Sequence, residues 1–176
     1  MIKIINNRIK ERLNNQDGSV LLFVLILLVI IVPMLLFATF ELPHLVSHHR
    51  KLKNTIDNAT ASAASRIIES QLHYGIIEID PTLALQTAKR IIAHDYHLDE
   101  TTLKPKSGSP LRQAPIIDIR VVNSPPTSGT TIKFPVETVT VKNTSVAIYI
   151  QLHPKPVFFN LFQPTIHHVA STQAQF

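Results

Sequence analysis

Hydrophobic positions follow three different rules along this chain. From Val20 to Phe40 they have no period: 21 residues carry no charge, 17 of them are Leu, Ile, Val or Phe, and only Pro33 and Thr39 break the apolar series. A helix of that length rises about 30 Å, the thickness of the hydrocarbon layer of a bilayer. Each large apolar residue is worth about 0.3–0.6 kcal/mol near a helix centre, so insertion is favoured by about 5–10 kcal/mol as an upper bound, more than one proline reverses. The run reads as a transmembrane anchor, marked by Val20, Leu28, Pro33 and Phe40. A cleavable secretory leader has an apolar stretch of only about 7–15 residues and a small-residue cleavage site. This run is longer and ends in Ala38, Thr39, Phe40 and Glu41. A buried core helix of such length would show a polar stripe.

Beyond Pro43 the apolar positions recur at intervals of three, four or seven: Leu45, Leu52, Ile56, Ala59, Ala63 and Ile67. That is one face of a helix, with His48, Arg50, Lys51, Asn54, Asp57 and Asn58 opposite. The face forms a helix-packing seam that its own domain or another subunit could cover, and Ala59, Ala61, Ala63, Ala64 and Ser65 allow backbones to approach closely. The pattern predicts a bend at Pro43 and an end at Tyr74 and Gly75. Asp80 followed by Pro81 predicts a second, short helix ending near His97, the carboxylate capping free N–H groups. Residues 101–115, rich in Ser, Lys, Pro and Gly, read as a loop or linker.

From Ile116 the period changes to two. Ile117, Ile119 and Val121 alternate with polar residues, as do Val139 and Val141, and Val146, Ile148, Ile150 and Leu152 form the longest inward row. The expected fold class is α+β: a transmembrane helix extended into an amphipathic helix, a second short helix, and an antiparallel sheet of about four strands with one face covered by helix. The organisation follows as a basic tail over 1–18, the transmembrane helix over 19–42, a helical region over 43–100, the linker over 101–115 and a β region over 116–176. Phe158, Phe159 and Phe162 crowd between prolines near the C-terminus, where they either close the sheet's core or form an interface patch touching lipid or a partner.

Charge alters the picture only at the membrane. The net charge is +5, but its small basic groups, Lys3 to Arg12 and Arg50 to Lys53, flank the apolar run. They read as topology signals and contacts to lipid headgroups, not as a nucleic-acid surface. The long segment after the helix translocates largely regardless of charge, while a short basic tail is retained, so the N-terminus is expected in the cytoplasm and the domain outside it. There is no cysteine, hence neither disulfide nor thiolate metal site.

His44 and His48 lie four apart with His49 beside them, a spacing compatible with metal ligation, yet no nearby carboxylate completes a set. His167 and His168 offer less. No nucleophile elbow, zinc-protease pair or glycine-rich phosphate loop is present, so no enzyme, metal, cofactor or small-molecule substrate is expected.

The order of features from Gly18 to Ile68 resembles the TadE/TadG-like family of tight-adherence pilus proteins. Gly18 and Ser19 enter the apolar run, Pro33 lies inside it, Glu41 stands at its far end, and Asp57, Asn58 and Ala59 are followed by Ala61, Ala63 and Ala64. The strand-rich C-terminal part, with Pro154 and Pro156, the aromatic segment and Ala170, Ser171 and Thr172, is similar too. The resemblance implies a pilin-like architecture and a non-catalytic, pseudopilin-like or minor-pilin-like component of a pilus or secretion apparatus in the bacterial inner membrane. Its partners would be the bilayer, other assembly proteins and its own copies. It also implies a candidate processing site at Gly18 and Ser19. Processed members carry glutamate at the fifth position after that glycine; here Phe23 stands there, so the uncleaved TadG-like form remains open beside the TadE-like one. The alternative reading is a single-pass, membrane-tethered extracytoplasmic binding or sensory domain, which would show a concave pocket instead of a long seam.

Overall fold

The computed structural model describes the backbone of residues 2–157 and 163–174, and the side chains among these from residue 19 onward. The chain falls into two units, Met1–Pro43 and His44–Phe176.

The first unit is helical. Helix α1 spans Ile2–Leu36 and passes through Pro33 without ending. A wider, π-type turn, Phe37–Glu41, follows, in which the Leu42 N–H reaches the Phe37 carbonyl. Its position has a physical reason. Pro43 has no N–H to give the Thr39 carbonyl, and its ring crowds that oxygen; a wider turn moves it aside. The Thr39 hydroxyl donates to the Leu35 carbonyl at 2.7 Å, a further back-bond in the same stretch. The backbone stays helical through Pro43.

The second unit is α+β. Helix α2, Leu42–Ala64, leads into it. The helix ends about ten residues before the expected break, because Ile67 and Ile68 enter an extended pairing with residues 78–80: the Ile68 N–H donates to the Glu78 carbonyl and the Asp80 N–H to the Arg66 carbonyl, both at 2.8 Å. Two adjacent β-branched residues favour that conformation over another helical turn. A single-turn helix α3, Glu69–Leu72, lies in the loop between. Helix α4, Pro81–Asp95, starts as the sequence predicts, with Asp80 accepting from the Thr82 and Leu83 N–H groups at 2.8 and 3.0 Å.

Among the described residues five strands follow: β1 Ile116–Val122, β2 Thr130–Lys133, β3 Thr138–Val141, β4 Ser145–Leu152 and β5 Ile166–Gln173. They form two antiparallel sheets, β1-β4-β5 and the hairpin β2-β3, in place of one sheet of about four. The turn at 124–129 joins β1 to β2, yet β1 pairs with β4. Gly129 permits that exit, since a Cβ there would lie 3.0 Å from Thr140 Cγ2 and 3.1 Å from the Val141 carbonyl, at a φ of +85°.

Central strand β4 is covered on both faces. Val146, Ile148, Ile150 and Leu152 enter the core formed with Leu52, Ile56, Ala59 and Ala63 of α2 and Ala84, Ala88 and Ile92 of α4. On the other face, Ala147 and Tyr149 pack beneath Ile132, Phe134 and Val141 of the hairpin. The second unit is thus layered as helices, three-stranded sheet and hairpin.

Candidate membrane anchor and its flanking helix

The anchor is recognised by what its side chains do not touch. From Val20 to Leu35 every large apolar side chain is 41–71% exposed, on all faces of the helix. Among the described residues this is the one helix long and apolar enough to cross a membrane, within the helical stretch Ser19–Ala64. Val20, Leu28 and Phe40 are exposed. Glu41, at the end of the π-type turn, is buried. Gly18 and Ser19 lie within the helical backbone of α1.

The seam of α2 is the opposite case. Leu52, Ile56, Ala59 and Ala63 are fully buried in the core of their own unit. Leu45 is half-buried, and Ile67, also half-buried, lies beyond the helix. Of the two partners that could cover the seam, its own domain occupies Leu52 to Ala63. The small Ala59 and Ala63 share that core with the larger Leu52 and Ile56 one and two turns earlier. Thr55 donates to Asp95 Oδ2 at 2.8 Å, tying α2 to the end of α4. Beside it, Tyr96 is buried, which together with the Asp95 charge raises its hydroxyl pKa, and Lys51 Nζ lies 5.0 Å above its ring.

Where α2 begins, the structure gathers histidines. The rings of His44 and His48 meet edge to face, with Nε2 atoms 3.1 Å apart, and His44 Nε2 lies 3.2 Å from the Lys155 carbonyl. His48 is 7% exposed. Burial, then the neighbouring His44 and Lys51, push its pKa down to about 4, so it is neutral at pH 7. At the next residue, the His49 ring lies 6.2 Å from that of His168 on β5, and burial again lowers the His168 pKa. His167 is exposed. Among the described residues no group of three or more His, Cys, Asp or Glu side chains is placed to hold a metal ion. Phe158, Phe159 and Phe162 lie outside the described residues; Val157 just before them is exposed.

A surface groove of about 700 Å³ runs along α4, lined by Arg66, Leu83, Thr87, Lys89, Arg90 and Glu100 among others. Arg66 Nε donates to Thr87 Oγ1 at 3.1 Å there. It is a shallow, mixed surface in which no acid/base pair converges.

Comparison with known proteins adds one finding. Residues 18–66 match the family model described as Flp pilus-assembly TadE/G-like. The match begins at Gly18, covers the anchor and α2, and stops two residues after α2 ends. No curated protein and no solved structure matches the chain. The stretch that holds the membrane helix and the buried face of α2 is thus similar to the TadE/G-like proteins of Flp pilus assembly.

Proposed function

We propose that the chain is a membrane-anchored structural component of a pilus or secretion assembly, pseudopilin-like or minor-pilin-like in its role. In this reading it sits in the bacterial cytoplasmic membrane with its N-terminus inside and its α+β domain outside. The observation that carries the proposal is the family match over residues 18–66, which coincides with the exposed apolar helix and the seam helix together. Because Leu52, Ile56, Ala59 and Ala63 are consumed by the domain's own core, contacts to other assembly proteins and to other copies fall on remaining surfaces. These are the anchor's lipid-facing sides and exposed apolar side chains such as Leu72, Tyr74 and Ile76 around α3.

The test combines location with dependence. In the native cell, protease added outside the cytoplasmic membrane should digest the domain and spare the basic tail, and deletion of the gene should abolish or reduce pili, restored by the full chain. A protected domain, or pilus formation unchanged by the deletion, would overturn the reading. Intact mass of the membrane-purified protein decides the form: a chain beginning at Ser19 is processed and TadE-like, and one retaining the basic tail is TadG-like.

A further inference from the structure

We propose that His44, His48 and the backbone carbonyl of Lys155 form a binding site for a divalent transition metal ion of the zinc class. The spacing of four on α2 puts both imidazoles on one side of the helix, with their Nε2 atoms 3.1 Å apart. The Lys155 carbonyl, from the segment after β4, lies 3.2 Å from His44 Nε2. Around a tetrahedral ion with bonds of about 2.0–2.1 Å, neighbouring donor atoms stand about 3.3 Å apart. The separations from His44 Nε2 to the other two donors are 3.1 and 3.2 Å, close to that value.

Hydrogen bonding alone satisfies this group poorly. A carbonyl only accepts, so the bond to Lys155 requires the proton on His44 Nε2. That single proton must then also serve His48 Nε2, and His48 carries its own proton on Nδ1, which is buried without a partner among the described residues. If His48 instead donates to His44, the lone pair of His44 Nε2 faces the carbonyl's lone pairs. A cation resolves the conflict at Nε2, because it accepts electron pairs from all three atoms at once.

The surroundings fit a borderline-soft ion. Two imidazole ligands favour Zn²⁺, Ni²⁺ or Cu²⁺ over Ca²⁺ or Mg²⁺. His48 is kept neutral by burial, while half-buried His44 leaves a side open for water ligands. The two nearby lysines are directed elsewhere: Lys155 Nζ donates to the Ser109 carbonyl at 2.8 Å and Lys51 Nζ lies over the Tyr96 ring. Their charge still opposes a dication, which makes this a site of moderate affinity. Occupied, it would fasten the first turns of α2 to the chain leaving β4.

The experiment uses the full chain in detergent or nanodiscs, without a polyhistidine tag, stripped with chelator and titrated with Co²⁺ as a spectroscopic probe and then with Zn²⁺. The expected result is one equivalent of Co²⁺ with the visible bands of a site carrying nitrogen ligands, displaced by Zn²⁺. His44→Gln should weaken binding at least about tenfold, since it removes one of only two imidazole ligands, and His48→Gln should do the same. The double variant His167→Gln with His168→Gln should bind as the parent does. Absence of a stoichiometric Co²⁺ site, binding that survives His44→Gln, or binding lost in the His167/His168 variant would each overturn the proposal. His48 is deeply buried and its replacement can unfold the domain, so half-buried His44 is the decisive variant, with circular dichroism confirming its fold.

Discussion

The anchor and helix α2 are consecutive stretches of helix that treat apolar side chains in opposite ways. Between Val20 and Leu35, residues on every face are exposed. Between Leu52 and Ala63, the apolar residues at intervals of three or four are sealed in a core shared with α4 and β4, while Lys53, Asn54, Asp57, Asn58 and Ala61 face outward. The first stretch needs an apolar solvent to be stable; the second carries its own apolar environment in the fold. A helix buries apolar surface by whichever route its pattern allows, and the pattern is the residue period.

The comparison breaks most visibly in the anchor. Replacing Leu28 and Ile30 together with aspartate adds about 2.5–3.5 kcal/mol per site at the helix centre, about 6–8 kcal/mol with the lost apolar contributions, against a total insertion gain of about 5–10 kcal/mol. The double variant should leave the alkali-resistant membrane fraction for the soluble or aggregated one. Resistance equal to that of the parent would show that the domain, not the apolar run, holds the chain at the membrane.

A matched pair of truncations sharpens it. Ile56→Ala opens a cavity between α2 and β4 and should cost about 2–5 kcal/mol of domain stability, whereas Leu28→Ala, with no protein neighbour to lose, should shift it by less than about 0.5 kcal/mol. Urea unfolding of the full-length protein in detergent, followed by far-ultraviolet circular dichroism, measures both. Equal shifts would mean that the seam is not part of a cooperative core.

The same contrast explains what could be read from sequence. The unbroken apolar run, the three-four spacing from Leu52 to Ala63, the Asp80-Pro81 start and the alternation in β1 and β4 are local signals, each set by residues a few positions apart. The end of α2 at Ala64 was not legible, because it depends on pairing with residues 78–80. Strand β5 hid behind His167, His168, Ser171 and Gln173, polar residues tolerated on an edge strand; Ile166, Val169 and Thr172 were the β-formers to notice. The split into two sheets was equally hidden, since pairing β1 with β4 instead of β2 depends on both faces of β4 being apolar, and Ala147 gives little sign of that. At the histidine pair, the spacing was visible but its third neighbour is a main-chain oxygen 111 positions away, which side-chain chemistry cannot announce.

The smallest expected effect separates the two regions by pH. No titratable side chain occurs from Val20 to Phe40, so retention in the membrane should not change between pH 7 and pH 4. The domain should respond. The folded pKa of His48 is lowered from 6.5 to about 4, so between those values the unfolded chain holds a proton that the folded chain refuses. Stability is therefore present in full above about pH 6.5 and is lost as the pH falls toward 4, by on the order of 2–3 kcal/mol from this group. His168, lowered mainly by its burial, acts with the same sign. Asp99 acts only further down, because its carboxyl is held low by hydrogen bonds from Thr101 and Thr102 and its contribution fades below 3.8. Unfolding at pH 7, 6, 5 and 4, with chelator present throughout, should show the domain weakening while sedimentation with membranes stays constant. His48→Gln should flatten most of the slope. A domain equally stable at pH 7 and pH 4 would mean that water reaches the His48 ring as easily in the folded chain as in the unfolded one, and the sealed stretch of α2 would not extend back from Leu52 to His48.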